Sequence, residues 1–296
     1  MSVRCWHVVL EWTKIMISEY WMWATWLTKV ILYLSVAFVV GGAFCYFLLR
    51  QYLELKESIL KYITIGAGLG LISSTLGFFI LIGSFANTGI TGMVDPTYIN
   101  ILVNTPTGYI YVLCSKAINF VFPFSIIESS IFCILLIPII FSFSQLGHVA
   151  NLTLLAQILL SIHILVMSLW MGSLYPLWKT SREISGLPLK DRMHVFGRIA
   201  AFIVGILIAC GASVALLLIK DFNTLINTAY GYGFMVKMFF VIGILLLAAF
   251  NKWYFTPRLQ HPKFAKHLSH AILFEMLLGL SILLTTGYIT TVVGIE

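Results

Sequence analysis

Two histidines and two methionines stand in a stretch otherwise built like hydrocarbon, "GHVANLTLLAQILLSIHILVMSLWMGSLYPLW", residues 147–178. His163, Met167 and Met171 follow one another at four-residue steps. On a helix of about 3.6 residues per turn, such steps form one stripe. Trp170 lies beside that stripe, two turns beyond His163. An imidazole nitrogen with thioether sulfurs suits a soft cation, and Cu(I) is the biologically common one. A methionine stripe alone reads as a packed helix face. The histidine changes the reading, because a polar, titratable side chain inside a span is costly and faces a cavity or a partner. His148 precedes the stripe in the polar break "SQLGHVAN". It is expected to be a loop ligand at the mouth, with His163 ~14 Å further along the helix. The alternative for His148 is a solvated loop histidine.

Four charged residues fall inside apolar runs: Lys116, Glu128, Lys237 and Glu275. Each is costly in hydrocarbon unless paired or wetted. One reading is Lys–Glu pairing between neighbouring helices, or lysine snorkelling to the interface. The other is a proton relay, or a set of charges fixing the field along an ion path. Lys237 and Glu275 are placed near opposite ends of their helices, which argues against a simple pair. Trp170, Lys237 and Glu275 are therefore assigned to a path or its gate. His194, His261, His267 and His270 stand among basic residues and read as interfacial. Met235, Met238 and Met276 read as core. The five cysteines are scattered without a CxxC pair and read as small buried side chains. No phosphate-cradling loop, GxSxG or HExxH is present, and the glycines of "GAGLGL" lie inside a span.

The elements that position these residues follow from composition. Of 296 residues, 60% are hydrophobic and 10% are charged, too little polar material to cover a soluble domain. The chain reads as an all-α integral membrane protein. Spans of ~20 apolar residues are the unit. Uncharged runs place eight of them, near 29–49, 62–85, 108–123, 125–145, 154–178, 199–219, 231–250 and 270–291. Residues 1–28, rich in tryptophan, read as an interfacial arm. The net charge of +7 is concentrated between alternate spans. This is the signature of cytoplasmic loops, and it puts both termini on the outer side. Basic charge distributed this way points to topology and not to nucleic acid.

"NTPTGYIYVLCSK" from Asn104 is echoed by "NTAYGYGFMVK" from Asn227. Each has Asn-Thr, a Gly-Tyr pair, a lysine and then a glutamate in the next span. The chain is thus expected to be two parallel four-helix repeats, a first half over 29–145 and a second over 146–296.

The order "GHVA", "IHILVMSLWMGSLYPL", "FGRIAAFIVGILIACG", "NTAYGYGFMVK", "AAFNKW", "HAILFEMLLGL" resembles the copper resistance protein D (CopD) family. The resemblance covers roughly residues 140–290. It rests on Gly147, His148, His163, Trp170, Gly172, Arg198, Gly211, Thr228, Tyr230, Gly231, Lys237, Asn251 and Glu275. "TPTG" at 105–108 is similar to a motif of the family's first half. Where that motif tends to carry arginine, this chain has Cys114, and the basic residue is Lys116. The resemblance implies copper handling in a bacterial cytoplasmic (inner) membrane. Together with the stripe it gives the expectation of a copper transport or homeostasis protein and not an enzyme. Copper, as Cu(I), would move from the periplasmic side towards the cytoplasm. His148, His163, Met167 and Met171 would hold the metal. Expected partners are membrane lipid, copper and a periplasmic copper carrier. Two alternatives stay open: a b-type haem-binding membrane oxidoreductase, for which only His163 lies clearly within a span, and a copper-holding partner that does not transport.

Overall fold

The computed structural model describes residues 3–49, 52–105, 153–219 and 222–293. Every element among them is helical, and none is a strand. In chain order these are α1 (Val3–Leu49), α2 (Leu53–Ala86), α3 (Pro96–Val103), α4 (Leu154–Glu183), α5 (Leu187–Leu218), α6 (Phe222–Asn227), α7 (Ala229–Phe250) and α8 (Pro262–Tyr288). Wider π turns at Asn251–Phe255 and Ile289–Val293 extend α7 and α8. Among the described residues, six helices are long and apolar enough to cross a membrane. The spans expected at 108–123 and 125–145 lie outside the described residues, with Lys116, Glu128 and His148.

The six spans are longer than the uncharged runs predict. The first begins at Glu19 and not near residue 29, and α5 begins at Leu187 and not near 199. A charge does not stop a helix; it only sets where the helix leaves hydrocarbon. Spans of 30–32 residues measure about 45–48 Å, against a hydrocarbon core of about 30 Å. One or two turns at each end therefore reach the headgroup region. Residues 19–28 of the expected arm continue α1 without a break. Trp21 is buried, and the Trp26 indole N–H donates to the Leu284 carbonyl of α8 at 3.1 Å.

The centre of the bundle is the crossing of α1 with α4. Gly41 and Gly172 bring the two backbones into contact, so that an added Cβ on Gly172 would overlap the Ala37 carbonyl. Without a hydrophobic drive between helices in lipid, such close backbone approach is what holds spans together. Around it, Cys45 Sγ lies 3.8 Å from the Ser173 carbonyl, and Tyr62 of α2 donates to the Gly172 carbonyl at 3.1 Å. α8 runs opposite to both helices. Its Gly287 meets Val30, its Leu283 shares a core with Ile164, and its Gly279 meets Met171. α1 and α4 therefore run the same way. A short helix precedes each Asn-Thr of the sequence echo: α3 ends before Asn104, and α6 closes at Asn227. In the second copy Thr228 caps α7, its hydroxyl accepting the Gly231 N–H at 3.1 Å. The first copy leaves the described residues after Thr105.

The two ends of the bundle differ in charge. Lys56 and Lys61 of α2, Lys179 and Arg182 of α4, Lys190 and Arg192 of α5, and Lys252 to Lys266 after α7 gather at one end. Several rest on aromatic rings: Arg182 on Trp178 at 5.1 Å, Arg192 on Tyr52 at 5.8 Å, Arg258 on Tyr254 at 4.1 Å. Amphipathic rings with cations over their faces suit a membrane–water boundary. This is the basic end; the other is the bare end.

Candidate functional site: an imidazole level and a carboxylate pocket

His163 lies in α4, towards the bare end, half-buried against α5. Its Nδ1 is 3.1 Å from the Leu207 carbonyl. A carbonyl only accepts, so Nδ1 carries the proton and donates. That fixes the tautomer and leaves the Nε2 lone pair free, which is the state in which a histidine ligates a metal. The Cε1–Nδ1 edge of the ring occupies a notch made by a missing side chain. A Cβ on Gly211 would stand 2.8 Å from His163 Cε1 and 3.0 Å from Nδ1. The Gly211→Ala protein is therefore expected to fold, because the ring is a movable tip, but to lose the Leu207 bond. Cu(I) affinity should fall about tenfold, as when an orienting partner of a ligating histidine is removed. A competition titration against a Cu(I) chelator, with circular dichroism as the fold control, reads both.

The methionines share the helix stripe but turn to other neighbours. Met171 rests on α8, its Cε 2.7 Å and its Sδ 3.5 Å from where a Cβ of Gly279 would stand. Met167 packs against the core shared by α1, α2 and α4. The imidazole thus faces α5, while the Met171 thioether faces α8. His148 lies outside the described residues. Among the described residues no three of His, Cys, Asp and Glu converge as a metal-binding group.

Lys237 of α7 is the charge that acts on His163. It has no carboxylate within ion-pair distance among the described residues. Lys237 and Glu275 do not pair. Asn251, the residue next to Glu275, lies fourteen positions beyond Lys237, about 21 Å along a helix. Glu275 is 5% exposed and takes a different partner: the Asn251 side-chain amide donates to its Oε1 at 2.8 Å. Asn251 opens the π turn, and its backbone carbonyl accepts from the Thr256 hydroxyl at 2.9 Å. The Thr256 backbone N–H donates to the same carbonyl, so the wider turn is closed on Asn251 by both groups of Thr256, and such turns are frequent at functional sites. Asn251 Oδ1 is buried without a donor among the described residues.

This carboxylate–carboxamide pair borders a cavity of about 270 Å³ between α4, α5, α7 and α8. Trp170, 6% exposed, borders the same cavity on the α4 side. His163 stands about 10 Å further along α4. Trp170 therefore separates an imidazole level from a carboxylate level. The sequence assigned Glu275 to the path but missed Asn251 as its partner. An asparagine in the apolar run "LLLAAFNKW" was the available signal.

The remaining histidines fall where the sequence puts them. His194, His261, His267 and His270 are exposed at the basic end, with His267 stacked on Phe255. Met276 packs in the core of α4, α5 and α8. Cys45 and Cys210 are buried free thiols.

In comparison with known proteins, residues 191–289 match the family model of Copper resistance protein D. The matched segment holds Gly211, Lys237, Asn251 and Glu275, while His163 and Trp170 precede it. No curated protein and no solved structure matches the chain.

Proposed function

We propose, from the premise that residues 191–289 belong to the copper resistance protein D family, that this multi-span protein carries copper across the bacterial inner membrane. The reading rests most on one observation. His163 lies in a helix long and apolar enough to span a membrane, with Nδ1–H engaged by the Leu207 carbonyl and no partner for Nε2 among the described residues. That is the arrangement of a neutral imidazole ligand. Copper enters at the bare end, taken here as periplasmic because the opposite end holds the basic loops. His148 receives it, possession passes to His163, and Met167 and Met171 supply soft sulfur along the same stripe. A periplasmic carrier would deliver the ion, and both termini would lie on that side. The chemistry is transport of Cu(I) and not catalysis.

Lys237 gives the path its barrier. The field of its ammonium reaches His163, and like charges repel more strongly inside a protein than in water. Copper at His163 is therefore weakened by Lys237 and kept mobile. The Lys237→Met protein is expected to bind Cu(I) about tenfold more tightly and to release it more slowly, measured by chelator competition and stopped-flow release.

Copper flux into vesicles holding only the purified protein tests the whole reading. His163-dependent flux supports it. Stoichiometric copper binding without flux favours the holding partner, and a Soret band in the purified protein favours the haem oxidoreductase.

A further inference from the structure

We propose that the cavity beside Glu275 binds a quinol-type ligand, a hydroxyl-bearing aromatic head group that enters from the bilayer. The first observation is unmet acceptor chemistry. Glu275 is nine-tenths buried, and the Asn251 amide is its single hydrogen-bond donor among the described residues. Among the described residues no donor reaches its Oε2, and the buried Asn251 Oδ1 has none either. Polar atoms so deep in a protein are ordinarily bonded. Two acceptors side by side call for a ligand that brings hydroxyl protons.

The second observation is size and wall chemistry. About 270 Å³ is far more than one water or ion needs, a water's share of the liquid being about 30 Å³. Apart from the Glu275–Asn251 pair, Lys252 and Thr256, the walls are apolar or aromatic. Trp170 and Phe196 present rings, and Gly197, Ala201, Ala248 and Ala249 keep the sides low. A flat ring with a polar edge fits such a slot; a hydrated cation does not. Copper fits it poorly as well, since the unmet acceptors are oxygens and the one soft ligand on the walls is the Met193 thioether.

The third observation is access. α5 and α7 hardly touch along their length, and the small residues of both line the space between them. Their outer faces carry Phe202, Leu246 and Trp253, all strongly exposed, as residues facing lipid are. Among the described residues the cleft therefore opens sideways, towards hydrocarbon, the phase in which a quinol is dissolved. A lipid tail could occupy the same space but would leave both acceptors without donors.

The test uses the copper-free full chain in nanodiscs and a tritiated decyl benzoquinol kept reduced. Its bis-methyl ether serves as the control, having the same body and no hydroxyl donors. Saturable binding of the quinol is expected at one per chain, with the ether about tenfold weaker or more. Ala201→Phe should abolish quinol binding while Cu(I) loading persists, and His163→Ala should leave quinol binding unchanged. Retained copper loading also shows that the Ala201→Phe protein is folded; if it is lost, Ala248→Leu replaces that variant. Equal affinity for quinol and ether, no saturable quinol binding, or binding indifferent to a filled cavity overturns the proposal. Each of these outcomes stands apart from the copper reading, whose own readout is His163-dependent loading.

Discussion

Gly172→Ala should prevent the two halves of the bundle from seating. Within a helix, alanine in place of glycine ordinarily stabilises by about 1 kcal/mol. Here the new methyl would overlap the Ala37 carbonyl and crowd Gly41 Cα at 2.9 Å. Both neighbours are backbone, so no rotamer change can relieve the overlap. α1 and α4 would have to separate, which also breaks the bond from the Tyr62 hydroxyl to the Gly172 carbonyl. Forcing extra atoms into a packed interior costs about 1–3 kcal/mol even where side chains can move. A backbone clash at the central crossing belongs above that range. The expected outcome is loss of monodisperse protein on size-exclusion chromatography in mild detergent. Gly205 is the control, because nothing lies within 4 Å of a Cβ added there. Gly205→Ala should be neutral or slightly stabilising by the same assay. A well-behaved Gly172→Ala protein would mean that the crossing is looser than the geometry requires.

His163→Ala is expected to reduce Cu(I) affinity by about 100-fold or more while leaving assembly intact. Removing a mere orienting partner of a ligand costs 10–100-fold, and removing the ligand itself should cost at least the top of that range. The fold has little to lose. The ring's polar contact is to a carbonyl of α5, and one turn further along the same helix it meets the Gly211 notch. Met167→Leu and Met171→Leu divide the remaining question. Leucine conserves packing at both core positions at a cost below about 1.5 kcal/mol. A fall in copper affinity in these proteins would therefore report lost sulfur and not lost structure. Undiminished copper in the His163→Ala protein would remove the centre of the proposed path.

The spans and the basic end were legible in the sequence because hydropathy and charge are local properties. "KTSREISGLPLKDR" is basic wherever it folds. Helix ends were read too short, since the uncharged runs mark the hydrocarbon boundary and not the end of hydrogen bonding. The side chains of the site were legible as types but not as partners. His163 and Met171 share a stripe on α4, yet different helices cover its two stretches, α5 and α8. Spacing within one helix carries no information about that. Glu275 and Asn251 are 24 residues apart and meet only where the end of α7 packs against α8. Gly172 and Gly211 look alike in sequence; one admits a backbone and the other an imidazole. His148 lies outside the described residues, and its role stands on the sequence.

The notch at Gly211 ties two parts of the chain into one heritable character. The glycine lies inside the segment that matches the copper family, and the imidazole it accommodates lies before it. A change at either position alters what the other can do. A side chain gained at 211 displaces the ring and breaks its bond to the Leu207 carbonyl, so a histidine kept at 163 without the notch loses its fixed orientation. Among homologous chains the two should therefore change together, so that a methyl or larger group at the one accompanies loss of imidazole at the other.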